Sequence, residues 1–254
     1  MNRIVIYTCL VGNYDKLKQP AVIDSYFDYV CFSNDLKQDT FGVWQVKKIP
    51  YICDDNTRLS RYVKINPHLV FPEYDYSVWI DANIQIIKKE FYDVIRGWVR
   101  KGGILAQVPH VERDCVYEEI IECLKRGKVK GALAKQQYMF LLNNHYPKHN
   151  GLYENNLIVR KHNVDWLKKT SEEWWELYLQ YTRRDQFSLC YIYWKYKIKP
   201  DFIFGVNKNT RNVDFLQMTP FHNHSVRSIK AEILHLYNKY IVNRVYILLL
   251  KYYN

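Results

Sequence analysis

The chain has 254 residues, 48% of them hydrophobic, and a formal net charge of +11. That length and apolar content suit one large core, or one core with a small appendage, and no run approaches the roughly 18 uninterrupted apolar residues of a membrane span. Six singly scattered cysteines exclude CxxC zinc pairs and a disulfide framework, while the positive charge calls for an anionic partner: nucleic acid, anionic lipid or a phosphorylated substrate.

The opening run RIVIYTCLVG is apolar and β-branched up to Gly12 and Asn13, which predicts a buried strand. It is too short, and lacks the small-residue cleavage site, for a secretory signal, so the cytoplasm is the expected compartment. YVCFS and VWQVKKI predict two more strands. NTRLSRYVKI predicts a helix opened by Asp55 or Asn56 and closed before Pro67, and YSVWIDANIQII a strand that ends on polar residues. A helix over EFYDVIRGWVR, the strand GILAQV, helices over residues 114–126 and 131–145 and the strand NNLIVR follow. Helical periodicity returns in DWLKKTSEEWWELYLQY and DQFSLCYIYWKY. Such alternation predicts an α/β fold with a mainly parallel sheet flanked by helices. There is no internal repeat or Gly/Ser-rich linker, so residues 1–226 are expected to form one domain.

The block from Arg58 to Asn83 carries the most chemistry. Helical spacing sets Arg58, Arg61 and Lys64 within roughly 120° of arc, where their cationic heads can converge on a diphosphate; a solvated basic face is the plainer alternative. The strand after it delivers Asp81-Ala82-Asn83 at its carboxyl end, the side on which parallel sheets bind ligands. Asp81 and Asn83 there offer hard oxygen ligands to Mg²⁺ or Mn²⁺ bridging donor phosphates, although Asp and Asn also favour an ordinary turn.

Taken together, IVIYTCLVGNYD, YVCFSND, the Arg58 to Asn83 block, HVERDCVYEE, GLYENNLIVRKHN and RRDQFSLCYIYWK resemble, in order, a glycosyltransferase-like domain family shared by plant Golgi-type proteins and bacterial surface-polysaccharide enzymes. The central block is also similar to the region before the metal motif of lipopolysaccharide galactosyltransferases. The resemblance implies a GT-A-like fold, a nucleoside-diphosphate-sugar donor, UDP being the commonest, and a divalent metal, Mn²⁺ or Mg²⁺. It implies that Thr8 and Asp35 lie near the base and ribose, that Arg58, Arg61 and Lys64 face the diphosphate, and that Asp81, Asn83 and a late histidine, His222 or His224, form the metal site. Asn83 departs from the doubly acidic pattern and ligates only through a neutral carbonyl, so the metal is expected to be either more weakly bound or dispensable.

Chemistry at an anomeric carbon calls on carboxylates. Asp185, at the start of a helix, and Glu154, in GLYENN before a strand, are the two candidates, with an N-cap and an exposed loop acid as their structural alternatives. His110, Arg113 and Asp114 gather at a helix start where they could meet the acceptor, or Asp114 could cap that helix. From about Arg227 to Asn254 the chain combines apolar residues at helical spacing with Arg227, Lys230, Lys239, Arg244 and Lys251, opposed only by Glu232. This predicts a basic amphipathic helix over 227–254, either lying on the inner face of a membrane beside a lipid-linked acceptor or packed on the core. The expected function is sugar transfer from a nucleotide donor to a glycan or lipid-linked acceptor in surface polysaccharide synthesis. A basic nucleic-acid-binding protein, for which no signature motif is present, and a lipid or sugar hydrolase, for which no nucleophile or zinc cluster is visible, are the alternatives.

Overall fold

Six consecutive buried residues, Ile4–Cys9, form β1 near the middle of the main sheet. The computed structural model describes residues 2–12, 15–219 and 229–253. Its further strands are β2 (Phe27–Phe32), β3 (Thr40–Phe41), β4 (Trp44–Lys47), β5 (Tyr76–Ile80), β6 (Ile84–Ile86), β7 (Leu105–Pro109), β8 (Tyr153–Arg160), β9 (Asp201–Phe202) and β10 (Leu216–Met218). The helices are α1 (Asn56–Ile65), α2 (Pro67–Val70), α3 (Glu90–Arg100), α4 (Val116–Lys125), α5 (Gly131–Asn143), α6 (Asp165–Gln180), α7 (Asp185–Lys195), α8 (Ile229–Tyr237) and α9 (Asn243–Tyr252).

The main sheet runs β3-β4-β2-β1-β5-β8-β7-β9, and β6 pairs with β10 in a small antiparallel sheet. β1 is parallel to β2 and β5, β2 to β4, and β7 to β9, while β3 and β8 run against their neighbours β4 and β5. The α/β class with a mainly parallel central sheet is therefore as expected. YSVWIDANIQII, however, is not one strand: the Ile84 N–H donates to the Asp81 carbonyl at 3.0 Å, and this turn sends the chain from β5 into the second sheet. The turn that Asp and Asn favour and the carboxyl end of a parallel strand thus coincide.

The chain divides into two compact units. One comprises Met1–Pro109, Glu154–Trp175 and Pro200–Asn223. Its core lies on one face of the main sheet, where Ile4 and Ile6 of β1, Tyr29 and Cys31 of β2, Val78 and Ile80 of β5 and Leu157 and Val159 of β8 meet Phe91, Tyr92, Ile95 and Val99 of α3. The spacing of those α3 residues puts an apolar stripe against the strands, and each large side chain so buried contributes about 1.5–3 kcal/mol. Glu90 and Asp93 in its first turn and Arg100 in its last complement the helix dipole.

The other unit comprises His110–Tyr153, Glu176–Lys199 and the C-terminal helices. In place of the single helix expected near the C-terminus, α8 and α9 are joined by a π-helical turn over Asn238–Val242. α9 packs on α4 and α5. The Asn243 amide donates to the Leu124 carbonyl at 3.0 Å, Leu250 is fully buried, and the Tyr246 ring lies where a Cβ on Gly131 would be. The opposite face leaves Tyr240, Val245, Leu248 and Tyr252 exposed.

Candidate functional site

Asp55 caps α1 by accepting from the Thr57 and Arg58 backbone N–H groups at 3.0 and 3.3 Å, so the helix starts on its aspartate and presents its cations in the turns that follow. The three cations have different surroundings. Arg58 is partly exposed and its Nε stands 3.9 Å from Asp55. Arg61 donates to the Ser60 hydroxyl at 3.2 Å, and its charge opposes the large upward push that burial gives the thiol of Cys9, the last residue of β1. Lys64 is buried at 2% exposure, with Nζ 5.3 Å above the Trp79 ring and 3.7 Å from Asp81 Oδ1.

Asp81 follows β5 directly. Its Oδ1 accepts from Trp79 Nε1 at 2.8 Å, and its backbone N–H donates to the Asn156 carbonyl of β8 at 3.0 Å, so the carboxylate is held from below by the strand that delivers it. Residues two apart on a strand share a face, which puts Trp79 under Asp81. Arg160 fixes the height of α1 over the sheet: its Nη2 donates to the Lys64 carbonyl at 2.6 Å and to the Tyr7 hydroxyl at 2.8 Å. Burial pushes the Tyr7 hydroxyl up to about 12, so it stays protonated beside that guanidinium. A buried arginine spanning β8, β1 and the end of α1 is thus what sets Lys64 against Asp81.

Asn83 is buried, and its side-chain amide donates to the Thr219 carbonyl at 3.1 Å while its backbone carbonyl accepts the Thr219 N–H. Asp35, exposed in the loop after β2, accepts the Gly12 N–H at 2.5 Å and so joins the loops after β1 and β2. Gly12 has φ +67 there, and a Cβ would fall 2.3 Å from the Asn56 amide. Thr8 lies on the core face with Ile4 and Ile6, 1% exposed, its hydroxyl without a hydrogen-bond partner. His222 and His224 lie outside the described residues.

Glu154 is not an exposed loop acid. It sits within β8 at 7% exposure, pairs with Arg211, and accepts from the Asn156 amide at 2.8 Å. The β8 strand begins two residues earlier than the expected NNLIVR, and its polar side chains bond within the fold: Asn155 accepts from Gln107 at 3.0 Å and Asn156 donates to Thr210 at 2.8 Å.

In the second unit Asp185 is the first residue of α7 and is 4% exposed, while the N-cap position belongs to Arg184, so Asp185 is not the cap. His110, Arg113 and Asp114 are in the loop before α4, whose N-cap is Cys115, so Asp114 does not cap that helix either. His110 Nε2 and Arg113 Nε approach Glu119 at 3.8 and 2.6 Å, whereas Asp114 turns to His149 Nδ1 at 2.7 Å. His110 Nδ1 accepts the Glu112 and Arg113 N–H groups at 3.2 and 3.1 Å, which fixes its tautomer with the proton on Nε2, facing Glu119.

An acid at the carboxyl end of a parallel strand, beside cations supplied by the preceding helix, is the arrangement of an α/β site for a phosphate-bearing ligand. The chain belongs to the TOD1/MUCI70 glycosyltransferase-like domain family, whose model matches residues 1–221. It is similar to the probable hexosyltransferase MUCI70 of Arabidopsis thaliana, with 26% identity over 159 residues, covering 55% of this chain and 27% of that relative's length. Among solved structures it is similar to mouse xyloside xylosyltransferase 1 in its apo form, with 7% identity, a TM-score of 0.47 and coverage of 79% of this chain and 84% of that one. The apo bifunctional glycosyltransferase WbbM matches with 12% identity, a TM-score of 0.45 and coverage of 79% and 38%.

Proposed function

We propose that the chain is a sugar transferase that takes a hexose from a nucleoside-diphosphate donor, with UDP the first to test, and passes it to a hydroxyl of a glycan or lipid-linked acceptor in surface polysaccharide synthesis. The observation that carries this reading is the Lys64–Asp81 pair at the carboxyl end of β5. Arg61 and Lys64 are suited to the diphosphate, Arg58 to its outer edge and Asp35 to the nucleoside, while Thr8, 1% exposed on the core face, would support the nucleoside loops from beneath. In the transfer the acceptor oxygen bonds to the anomeric carbon as the bond from that carbon to the β-phosphate oxygen breaks. Electrons leave with the diphosphate, whose added charge Lys64 and Arg61 would offset. The hydroxyl proton passes to a carboxylate in an inverting reaction or to the departing phosphate in a retaining one. Asp185 is the carboxylate assigned to that step or to the positive charge that develops on the sugar; Glu154, engaged by Arg211 and Asn156, fits a role in orienting the donor sugar.

Around the Asp81–Asn83 turn the described residues do not build a self-sufficient divalent-metal site. Asp81 is the one carboxylate in the turn and has Lys64 3.7 Å away, while Asn83 is engaged with Thr219. One carboxylate plus the donor's own phosphates does suit Mg²⁺ or Mn²⁺, so a metal fits as an ion brought by the donor, with His222 as a further ligand. Such an ion would neutralise phosphate charge. His110, Arg113 and Asp114 are assigned to the acceptor.

The exposed apolar face of α8 and α9, with Lys239, Arg244 and Lys251, supports contact with the inner face of the cytoplasmic membrane, as does a groove of about 650 Å³ lined by Lys135, Met139, Tyr237, Ile241, Val245 and Tyr246. No described helix is long and apolar enough to cross a membrane.

The test is release of nucleoside diphosphate from a panel of sugar nucleotides, with and without Mn²⁺ and with mixed membrane glycolipids as acceptor. Turnover of one donor that falls at least a hundredfold in Asp185→Asn supports the assignment, and turnover of none argues against it.

A further inference from the structure

In the second unit, Cys115, Glu118 and His149 bring a sulfur, a carboxylate oxygen and a ring nitrogen within 4.8 Å of one another. Cys115 is the N-cap of α4 and Glu118 is in its first turn, while His149 is brought over from the loop after α5. His149 adopts φ 52, a left-handed conformation that side chains rarely take, and its Nδ1 lies 2.7 Å from Asp114 Oδ1. With the Nδ1 proton held by that carboxylate, the lone pair is on Nε2, which is how a metal-binding histidine is oriented by an outer carboxylate.

We propose that Cys115, Glu118 and His149 form a zinc site, with water as the fourth ligand and Asp114 orienting His149. A tetrahedral zinc with bonds of about 2.0–2.3 Å holds its ligand atoms roughly 3.3–3.8 Å apart. Closing from 4.8 Å therefore needs movements of about 1 Å, which the exposed Glu118 and His149 side chains can make while buried Cys115 stays fixed. One thiolate, one imidazole and one carboxylate select zinc over Mg²⁺ or Mn²⁺, whose preference is for oxygen alone. The proton lost from Cys115 on binding goes to solvent. The ion would tie the loop that carries His149 to the start of α4, next to the His110–Arg113–Glu119 cluster.

Titration of the metal-stripped full chain with Co²⁺ tests this without reference to turnover. The expected result is a thiolate-to-cobalt charge-transfer band at one equivalent, displaced by Zn²⁺ but not by Mg²⁺, absent in Cys115→Ser and His149→Ala, and unchanged in Cys53→Ser, the control for the one cysteine that is not buried. Asp114→Asn should weaken binding at least tenfold. No band in the wild type, or a band that survives Cys115→Ser, overturns the proposal. Because His149 is exposed, His149→Ala should keep its circular dichroism spectrum, so loss of the band there reports loss of a ligand.

Discussion

Lys64 separates two roles that one residue can play. Its stem and ammonium sit on Trp79 and against Asp81 at 2% exposure, so it is packed like a core residue and charged like a ligand-binding one. Lys64→Met keeps most of the volume and removes the charge, and the partner it leaves, Asp81, is 35% exposed and so stays hydrated rather than stranded as a buried ion. We expect the urea unfolding free energy to change by less than about 1.5 kcal/mol while donor affinity falls at least tenfold. A large loss of stability with unchanged affinity would make Lys64 structural. Arg211 should behave in the opposite manner. Its removal leaves the Glu154 carboxylate buried with only the Asn156 amide, so Arg211→Ala should cost about 2–4 kcal/mol in denaturant unfolding and Glu154→Gln should recover part of it in the double variant.

At this scale the acid at the end of β5 was readable, because four largely apolar residues run straight into Asp81, and its Trp79 support follows from a strand period of two. Arg160 was not readable. An arginine closing an apolar strand looks like a surface residue until Tyr7 and the Lys64 carbonyl are brought to it from distant parts of the chain. The Glu154–Arg211 pair was hidden for the same reason.

Among the elements, those with long apolar or periodic runs were legible: α1 and α3 match their expected spans and β1 starts within a residue of its own, while the single run expected from Tyr76 to Ile87 divides into β5 and β6. β9 and β10, with two and three residues, carry too little pattern to be seen, and the reversed direction of β8 is a property of the connection, not of its own sequence. The C-terminal segment illustrates the middle case. Its amphipathic periodicity was evident, but the π-turn and the packing of α9 on α4 and α5 come from tertiary contacts such as Asn243 with Leu124. Gly131 probes that packing. An added methyl would lie 2.1 Å from the Tyr246 ring, so Gly131→Ala should displace α9 and lower stability by about 1–3 kcal/mol, read as a drop in thermal midpoint. An unchanged midpoint would mean that α9 is not held there.

For the whole molecule the acid response follows from two buried histidines. Burial, with Arg160 nearby, holds both His68 and His162 down to about 4. The unfolded chain binds their protons near 6.5 and the folded chain does not, so stability is complete above about pH 6.5, falls as pH drops toward about 4, and levels off below that. Each histidine contributes a slope of up to about 1.4 kcal/mol per pH unit in that window, and His162→Gln should flatten the curve of unfolding free energy against pH. A curve that is flat between pH 6.5 and 4 in the wild type would contradict this. The same global view bears on the net charge of +11: a nucleic-acid-binding protein would show a steep salt slope on DNA or RNA, whereas a transferase whose cations serve a diphosphate should not.

Calorimetric titration of the full chain with a panel of nucleoside diphosphates and their sugars, with and without Mn²⁺, tests the central claim most directly, comparing wild type with Asp81→Asn. That variant keeps an oxygen for Trp79 Nε1 and removes the charge. The account predicts micromolar binding of one nucleotide, strengthened by Mn²⁺ and weakened at least tenfold by Asp81→Asn. Absence of binding by every member of the panel under both conditions, in protein shown to be folded, would contradict it.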